Sequence, residues 1–504
     1  MSSGIFLQAF RTKFIDNFIE DVANTQTSYY VAFGRNEPWD DEANPPVANT
    51  NIATSNYAVD RDMLFGKQVY GKDVAYMATN ITWTANTIYD YYDDQDPDLY
   101  TKNYYVINSS NRVYKCLFNN YGVPSTVEPN DTNPNVDFNT YPDGYKWKYM
   151  FRVIRADYTK FATADYIPVE TDPLVKTYAE DGAVHVIVVD NQGNNYPYGS
   201  GSIINRITPY VIQLANAGID SISGVYQNST FYVDAGSGNN FLTTITNYTV
   251  NTTGKFITTK DITPSLDATT RYKIGPQVYV EGDGTGLKAF AYVEPIANSI
   301  YDVQVISRGT NYSYANITFI ANNIVLGAGG KAAAHSIISP IGGHGYDAPA
   351  ELGCQTAGIS IETSPLDGLP EWATYRQVSL IYNPISDAEQ TVFLGDTFTQ
   401  FTTLVTTANK SRFTVGGLVK GFTSGATAEV IESDQNHIYV KNVIGTFIPY
   451  ETARDVTTGL TTIVSGINTG DLIPYTGSIF YYRNIEPVVR STNSKEQVKL
   501  YFNF

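Results

Sequence analysis

Three times between residues 178 and 350 a β-forming run ends in a glycine that is followed, three positions on, by a tyrosine: Gly193 and Tyr196, Gly309 and Tyr312, Gly343 and Tyr346. Glycine takes up a positive φ at no steric cost, so each marks a tight turn, and the tyrosine ring is placed to cover it. A second element recurs nearby: Gly284, Gly286, Lys288, Ala289 and Ala291 share their spacing with Gly327, Gly329, Lys331, Ala332 and Ala334. The alternating Ala-x-Ala lets neighbouring backbones approach closely. A unit of roughly forty residues cannot bury its own apolar face, so it must close against neighbouring strands. This stretch is therefore predicted to be all β.

The same period-two pattern runs elsewhere. Between residues 396 and 470, Phe413, Val415, Gly416, Gly417, Val419 and Gly421 precede Thr423-Ser424-Gly425-Ala426-Thr427-Ala428-Glu429-Val430, which predicts a small β-barrel or sandwich. Tyr29-Tyr30-Val31-Ala32-Phe33 is a strand closed by Gly34 and Pro38, and Val498, Leu500, Phe502 and Phe504 alternate in a closing strand expected to pair back into the first domain. One helix stands out, with Phe6, Phe10, Phe14, Phe18 and Val22 every four residues, Ile15 and Ile19 alongside, and polar residues between. The expected fold is mainly β: an α+β core with one N-terminal amphipathic helix, carrying β-sandwich or barrel modules and inserted Gly-rich repeats. The boundaries drawn from composition are 1–178 for the N-terminal core, 179–350 for the Gly/Tyr-repeat insertion, 351–395 for a return to the core, 396–470 for the small module and 471–504 for the C-terminal strand segment. A chain of 504 residues has room for about three or four such units.

The formal net charge of −17 repels phosphate backbones and anionic lipid, so neither nucleic acid nor a membrane is expected as main partner. Met1-Ser2-Ser3-Gly4 lacks the basic and apolar regions of a secretion signal, and no run approaches the roughly 20 apolar residues of a membrane span. Folding in a cytoplasm is expected. Cys116 and Cys354 are the two cysteines, and two buried thiols are the expectation. The 40 tyrosines suit sheets and protein interfaces, because the ring buries apolar area while the hydroxyl finds a polar partner.

Five separated segments resemble the baseplate wedge subunit encoded by gene eight of T-even-like contractile bacteriophages. They are Phe33-Gly34-Arg35-Asn36-Glu37-Pro38-Trp39; Pro97-Asp98-Leu99-Tyr100 with Val113-Tyr114-Lys115-Cys116-Leu117; Pro142 to Phe151, with Tyr145 and Trp147; Tyr375 to Pro384, with Arg376 and Asn383; and Gly477 to Phe504, with Arg483-Asn484-Ile485-Glu486-Pro487. The resemblance covers residues 1–178, 351–395 and 471–504. It implies a β-rich structural subunit without catalysis, which forms a homodimer within each wedge and bonds neighbouring wedge subunits during tail assembly and contraction. It also implies a place in the virion, in the tail baseplate, after assembly in the host bacterial cytoplasm. Residues 179–350 and 396–470 depart from the family pattern, and no role carries over to them.

No catalytic, cofactor-binding or metal-ligating set is identified. For Arg35, Glu37 and Trp39 two readings stand: an interface anchor, since Arg and Trp are enriched in hot spots, or an internal Arg–Glu pair that locks the turn beneath a buried Trp, which is favoured. Tyr145 and Trp147 alternate on a strand and are expected to pack a core. Gly282-Asp283-Gly284-Thr285-Gly286 lacks the lysine and βαβ context of a phosphate loop and is read as a β-turn. The acidic run Asp90 to Asp98 lacks the glycine and final glutamate of a calcium loop and is read as solvated. His185, His335, His344 and His437 show no metal spacing; the minor alternative is a shallow carbohydrate or metal site at His344. The alternative function is a receptor- or glycan-binding tail protein, suggested by the Gly-Tyr repeats. A glycan-cleaving enzyme would need a carboxylate pair that no motif places.

Overall fold

The structure is a computed structural model and describes residues 8–48, 52–136, 138–321, 330–407, 412–491, 493 and 495–504. It is mainly β, with several barrel and sheet modules and few helices. Packing divides it into two units, Met1–Met77 with Cys354–Phe504, and Ala78–Gly353.

In the first unit two antiparallel sheets share one core. The five-stranded sheet has the order Thr397–Thr399, Met63–Val69, Tyr29–Gly34, Thr374–Tyr382, Ser478–Val489. In the other sheet Thr356–Thr363 pairs with Val74–Thr79 on one side and Glu496–Asn503 on the other. Val31, Phe33, Phe65 and Leu380 meet Ile359, Ile361 and the partly buried Leu500 and Phe502. Tyr29–Gly34 is buried at all six positions, which is why its sequence runs apolar without alternating. The terminal segment is two strands rather than one, and Ser478–Val489 forms the edge of its sheet.

The helix Gln8–Ala23 packs on this core through Val22 and the partly buried Phe18 and Ile19, and Ile15 is fully buried. The four-residue row expected to form its buried face does not: Phe10 and Phe14 are 56% and 49% exposed. A residue every four positions advances about 40° per step around a helix of 3.6 residues per turn, so the row winds off the core. Phe6 lies outside the described residues, as do Met1-Ser2-Ser3-Gly4. Also in this unit, strands from Thr402–Thr406 to Thr461–Asn468 close into a six-stranded barrel around Leu404, Val419, Val430, Val440 and Val464.

In the second unit a four-stranded sheet takes the order Tyr105–Ile107, Arg112–Phe118, Lys146–Arg152, Asn139–Thr140. Two closed six-stranded barrels follow, one spliced into the other. The chain lays down Val184–Asn191, leaves to build a barrel from Gly199–Arg206 to Arg271–Gly275, then returns with Gln277–Gly282 and completes the outer barrel at Ala333–Ile338. Closure removes the open edges that a glycine-rich sheet would otherwise leave. Composition shifts near residue 178, whereas packing divides at 77. Residues 105–152 therefore share a unit with the barrels, and the Tyr104 hydroxyl donates to the Glu351 carbonyl at 2.7 Å.

Gly193, Gly309 and Gly343 all have positive φ, at 57°, 63° and 97°. A Cβ added to Gly193 or Gly309 would lie 2.9 or 2.7 Å from the ring of Tyr196 or Tyr312, so those tyrosines do cover their turns. The third copy differs: Tyr346 lies over Gly342, and Gly343 abuts the Glu180 backbone. Gly327 and Gly329 lie outside the described residues. No helix among the described residues is long and apolar enough to cross a membrane.

Candidate functional site

The loop that leaves the central strand at Gly34 gathers most of the sequence-marked residues of the first unit. Arg35 has φ 59°, and its N–H donates to the Asp62 carbonyl at 2.7 Å. Its guanidinium lies 3.8 Å from the centre of the Trp39 ring and donates to Asp62 Oδ2 at 3.3 Å. The expected partner was Glu37, but Asp62 ends the neighbouring helix and is nearer. It is also held by Arg61, whose Nε and Nη2 donate at 2.8 and 3.1 Å. Trp39 is half-buried rather than buried, and its indole N–H donates to the Ile485 carbonyl at 3.1 Å.

Glu37 reaches the barrel instead, where Lys441 binds it and also donates to Asn36 Oδ1 at 3.0 Å. Burial works against the Glu37 charge, but hydrogen bonding with Glu429 and the Lys441 ammonium outweigh it and hold its carboxyl below the usual range. Glu429, desolvated and facing Glu37, is pushed up. Arg376 closes the clamp: Nε and Nη2 grip the Glu42 carboxylate at 2.7 to 2.9 Å, and Nη1 donates to the Asn36 carbonyl at 2.7 Å. A forked guanidinium matches this two-oxygen geometry as an ammonium would not. The loop is thereby tied to three strands far from it in sequence, those carrying Arg376, Lys441 and Ile485.

Asn383 and Arg483 lie away from the clamp. Asn383, with φ 48°, closes the ladder between the first strand and Thr374–Tyr382: it donates to the Ser28 carbonyl at 2.9 Å, and its Oδ1 accepts from the Ser28 N–H at 2.8 Å. Arg483 is exposed on the edge strand opposite Val378. In the second unit Tyr145 and Trp147 are fully buried and stack with ring centres 5.6 Å apart, and the Tyr145 hydroxyl donates to the Val123 carbonyl at 2.7 Å. They pack a core, as the strand pattern predicts.

Sequence reasoning missed a second polar assembly, wholly within the second unit. Lys115 pairs with Glu351, both buried, and His344 Nδ1 lies 3.9 Å from Glu351 Oε2. His185 is 5.0 Å from His344, ring centre to ring centre, and Tyr92 meets His344 edge-on at 5.0 Å. Nearby, buried Lys148 donates to the Val136 carbonyl at 2.9 Å, and desolvation pushes it down to about 8. The shallow site considered at His344 is thus a dry one, with His344 2% exposed. No motif marks these residues as a set, because Tyr92, Lys115, Lys148, His185 and the stretch from His344 to Glu351 are five separate segments.

The remaining motifs make structural contacts. Asp283 and Gly284 connect two adjacent strands, and the Asp283 carboxylate accepts the Ser313 N–H at 2.8 Å. In the acidic run Asp96 pairs with Lys102, and Asp94 accepts the Ile338 N–H at 2.8 Å. Among the described residues no group of three or more His, Cys, Asp or Glu side chains is arranged to hold a metal ion. Cys116 and Cys354 are buried thiols. No protein-family model matches the chain, and no curated protein matches it in sequence.

Proposed function

We propose that this chain is a structural subunit of the baseplate wedge in a contractile bacteriophage tail, that it forms a homodimer and that it bonds neighbouring wedge subunits. It would be assembled in the host bacterial cytoplasm and reside in the virion. One observation carries this reading. Three of the five segments that resemble the wedge subunit, Phe33 to Trp39, Tyr375 to Pro384 and Gly477 to Phe504, converge in a single clamp through Arg376, Trp39 and Ile485. Three of the five scattered segments thus share one packed core, while Pro97 to Leu117 and Pro142 to Phe151 lie in the second unit.

The exposed apolar surface of that core suits a protein built to be covered. Phe480 and Val489 on the edge strand are 60% and 73% exposed, and Phe10 and Phe14 add the outer side of the helix. Edge strands and apolar patches of this kind are what obligate interfaces bury. No chemistry is assigned to it, and the clamp's ionic groups are spent on one another.

Gold-antibody labelling of intact particles of the encoding phage, viewed by electron microscopy, tests the proposal. Label confined to the distal end of the tail, in sixfold multiples and off the fibres, is expected. Label on fibre tips would replace it with the receptor-binding alternative, for which the exposed Tyr279 and Tyr314 of the outer barrel are the specific support. Sedimentation equilibrium reports the dimer directly.

A further inference from the structure

A cavity of about 360 Å³ opens in the first unit between the barrel strand His437–Ile444 and the helix Ile52–Asp62. Met63, Phe447, Ile467, Leu472 and Pro474 supply its apolar wall. Four charged side chains line it, and three of them are engaged. Arg61 is held by Asp62, Lys441 by Glu37, and the Asp387 carboxylate accepts from the Thr469 hydroxyl at 3.5 Å. Asp60 is different. Its carboxylate has no hydrogen-bond or ion-pair partner among the described residues, and desolvation alone pushes it up to about 7. A carboxylate left half-buried without a cation either takes up a proton or draws a cation to it.

Tyr475, also in the lining, lies within reach of the Asp60 charge and stacks on Tyr57 with ring centres 5.0 Å apart and planes within 4°. It holds a left-handed backbone, φ 62°, which is strained for an aromatic residue. The cavity therefore presents an unengaged anion, an aromatic face beside it and an apolar wall. That is the complement of a cation on an aliphatic stem.

We propose that this cavity takes a lysine side chain from a neighbouring protein, with the ammonium between Asp60 and Tyr475 and the methylenes against the apolar wall. A partner's side chain is favoured over a free amine because a chain of net charge −17 draws basic surfaces towards it, and a tethered lysine pays less to be ordered than a free one. The inference does not depend on where the chain sits in a particle, so it can fail while the wedge reading stands, and the reverse.

The test is ligand-observed saturation-transfer NMR on the full chain, titrated with Nα-acetyl-lysine amide, its neutral isostere Nα-acetyl-norleucine amide, and cadaverine. Saturable lysine-amide binding is expected, about tenfold or more tighter than norleucine-amide binding, and weakened about tenfold by Asp60→Asn. Arg61, Asp387, Lys441 and Tyr475 face the same cavity, and the first three are already engaged. Binding should therefore tighten from about pH 6 to about pH 8 as Asp60 ionises. Tyr475→Leu, which leaves the carboxylate in place, should also weaken it and serves if Asp60→Asn does not fold, as judged by circular dichroism. Equal binding of the norleucine amide, indifference to both substitutions, or no lysine-amide binding overturns the proposal. Cadaverine binding tighter than the lysine amide overturns it in favour of a free polyamine site.

Discussion

Lys115 and Glu351, 236 residues apart in sequence, form an ion pair with side chains 0% and 3% exposed. The Glu351 carboxylate also accepts the N–H groups of Gly345 and Asp347 at 2.7 and 3.3 Å, and the Lys115 ammonium lies 4.5 Å from the centre of the Tyr92 ring. Such a pair stabilises little over well-packed apolar residues, but removing one partner strands a dry charge. Glu351→Gln is expected to destabilise the second unit by about 3–5 kcal/mol. The double variant with Lys115→Met should lose clearly less than the sum of the two single losses. Urea unfolding of the four proteins measures this, and additive losses would mean that the two side chains do not interact.

The histidines beside this pair make stability depend on pH. Burial, followed by the charges of Lys148 and Lys115, pushes His185 down to about 3; burial and the Lys115 charge also take His344 well below its ordinary value. Both rings are neutral in the folded protein, whereas in the unfolded chain they titrate near about 6.5. Below that pH the unfolded state binds more protons. Stability is then complete above about pH 6.5 and falls as pH drops towards about 3, by about 1.4 kcal/mol per pH unit for each histidine. His344→Phe should flatten the stability profile between about pH 6 and pH 4 by one histidine's share. Unchanged slopes in chemical denaturation would show that His344 is protonated in the folded state.

Arg35 and Trp39 offer a smaller, local test. Trp39→Phe keeps a ring beneath the guanidinium but loses the N–H to the Ile485 carbonyl, at a net cost of about 1 kcal/mol. A double-mutant cycle with Arg35→Ala and Trp39→Ala should give a coupling of about 0.5–2 kcal/mol from the stacked pair. A coupling near zero would mean that the stacked pair adds nothing to the contacts Arg35 makes with Asp62 and the Pro38 carbonyl.

These residues show what a sequence can and cannot disclose. Strands were legible wherever local spacing carries the information: in Tyr29 to Phe33, in the alternation around Val419 and Val430, and in the glycines that turn at positive φ. A strand's face repeats every two residues, so burial is written locally. Ionic partners are not. Glu37 was expected to pair with Arg35, two positions away, yet its cation is Lys441, 404 residues distant. The helix Gln8–Ala23 forms as expected, but its buried face differs from the expected one for another reason. A four-residue row looks like a stripe, but its slow winding left Phe10 and Phe14 exposed and put Ile15, Phe18, Ile19 and Val22 against or within the core. A barrel was among the forms expected for 396–470, and one closes there, but the strand order was not legible, since nothing in one strand says which strand completes the ring. The composition shift at residue 178 marks where residue types change, not where packing does.

That distinction sets up a deletion experiment. Ala183 and Ser339 exchange hydrogen bonds: the Ala183 N–H donates to Ser339 Oγ at 2.9 Å, and the Ser339 N–H donates to the Ala183 carbonyl at 2.9 Å. The ends of residues 184–338, which hold both barrels of the second unit, are therefore adjacent, and a short turn can rejoin them at little entropic cost. Excising 184–338 should leave a soluble protein that unfolds cooperatively. Excising 179–350, the boundaries drawn from composition, also takes Gly345 and Asp347, whose N–H groups hold Glu351, and the Asp347 side chain that caps its helix at Ala350 N, 3.1 Å away. Lys115 would then face an unsupported partner in a dry core, so that variant should aggregate or melt well below the first. Size-exclusion chromatography and far-ultraviolet circular dichroism on the two deletions distinguish the cases. If both are insoluble, the barrels are part of what the four-stranded sheet needs in order to fold.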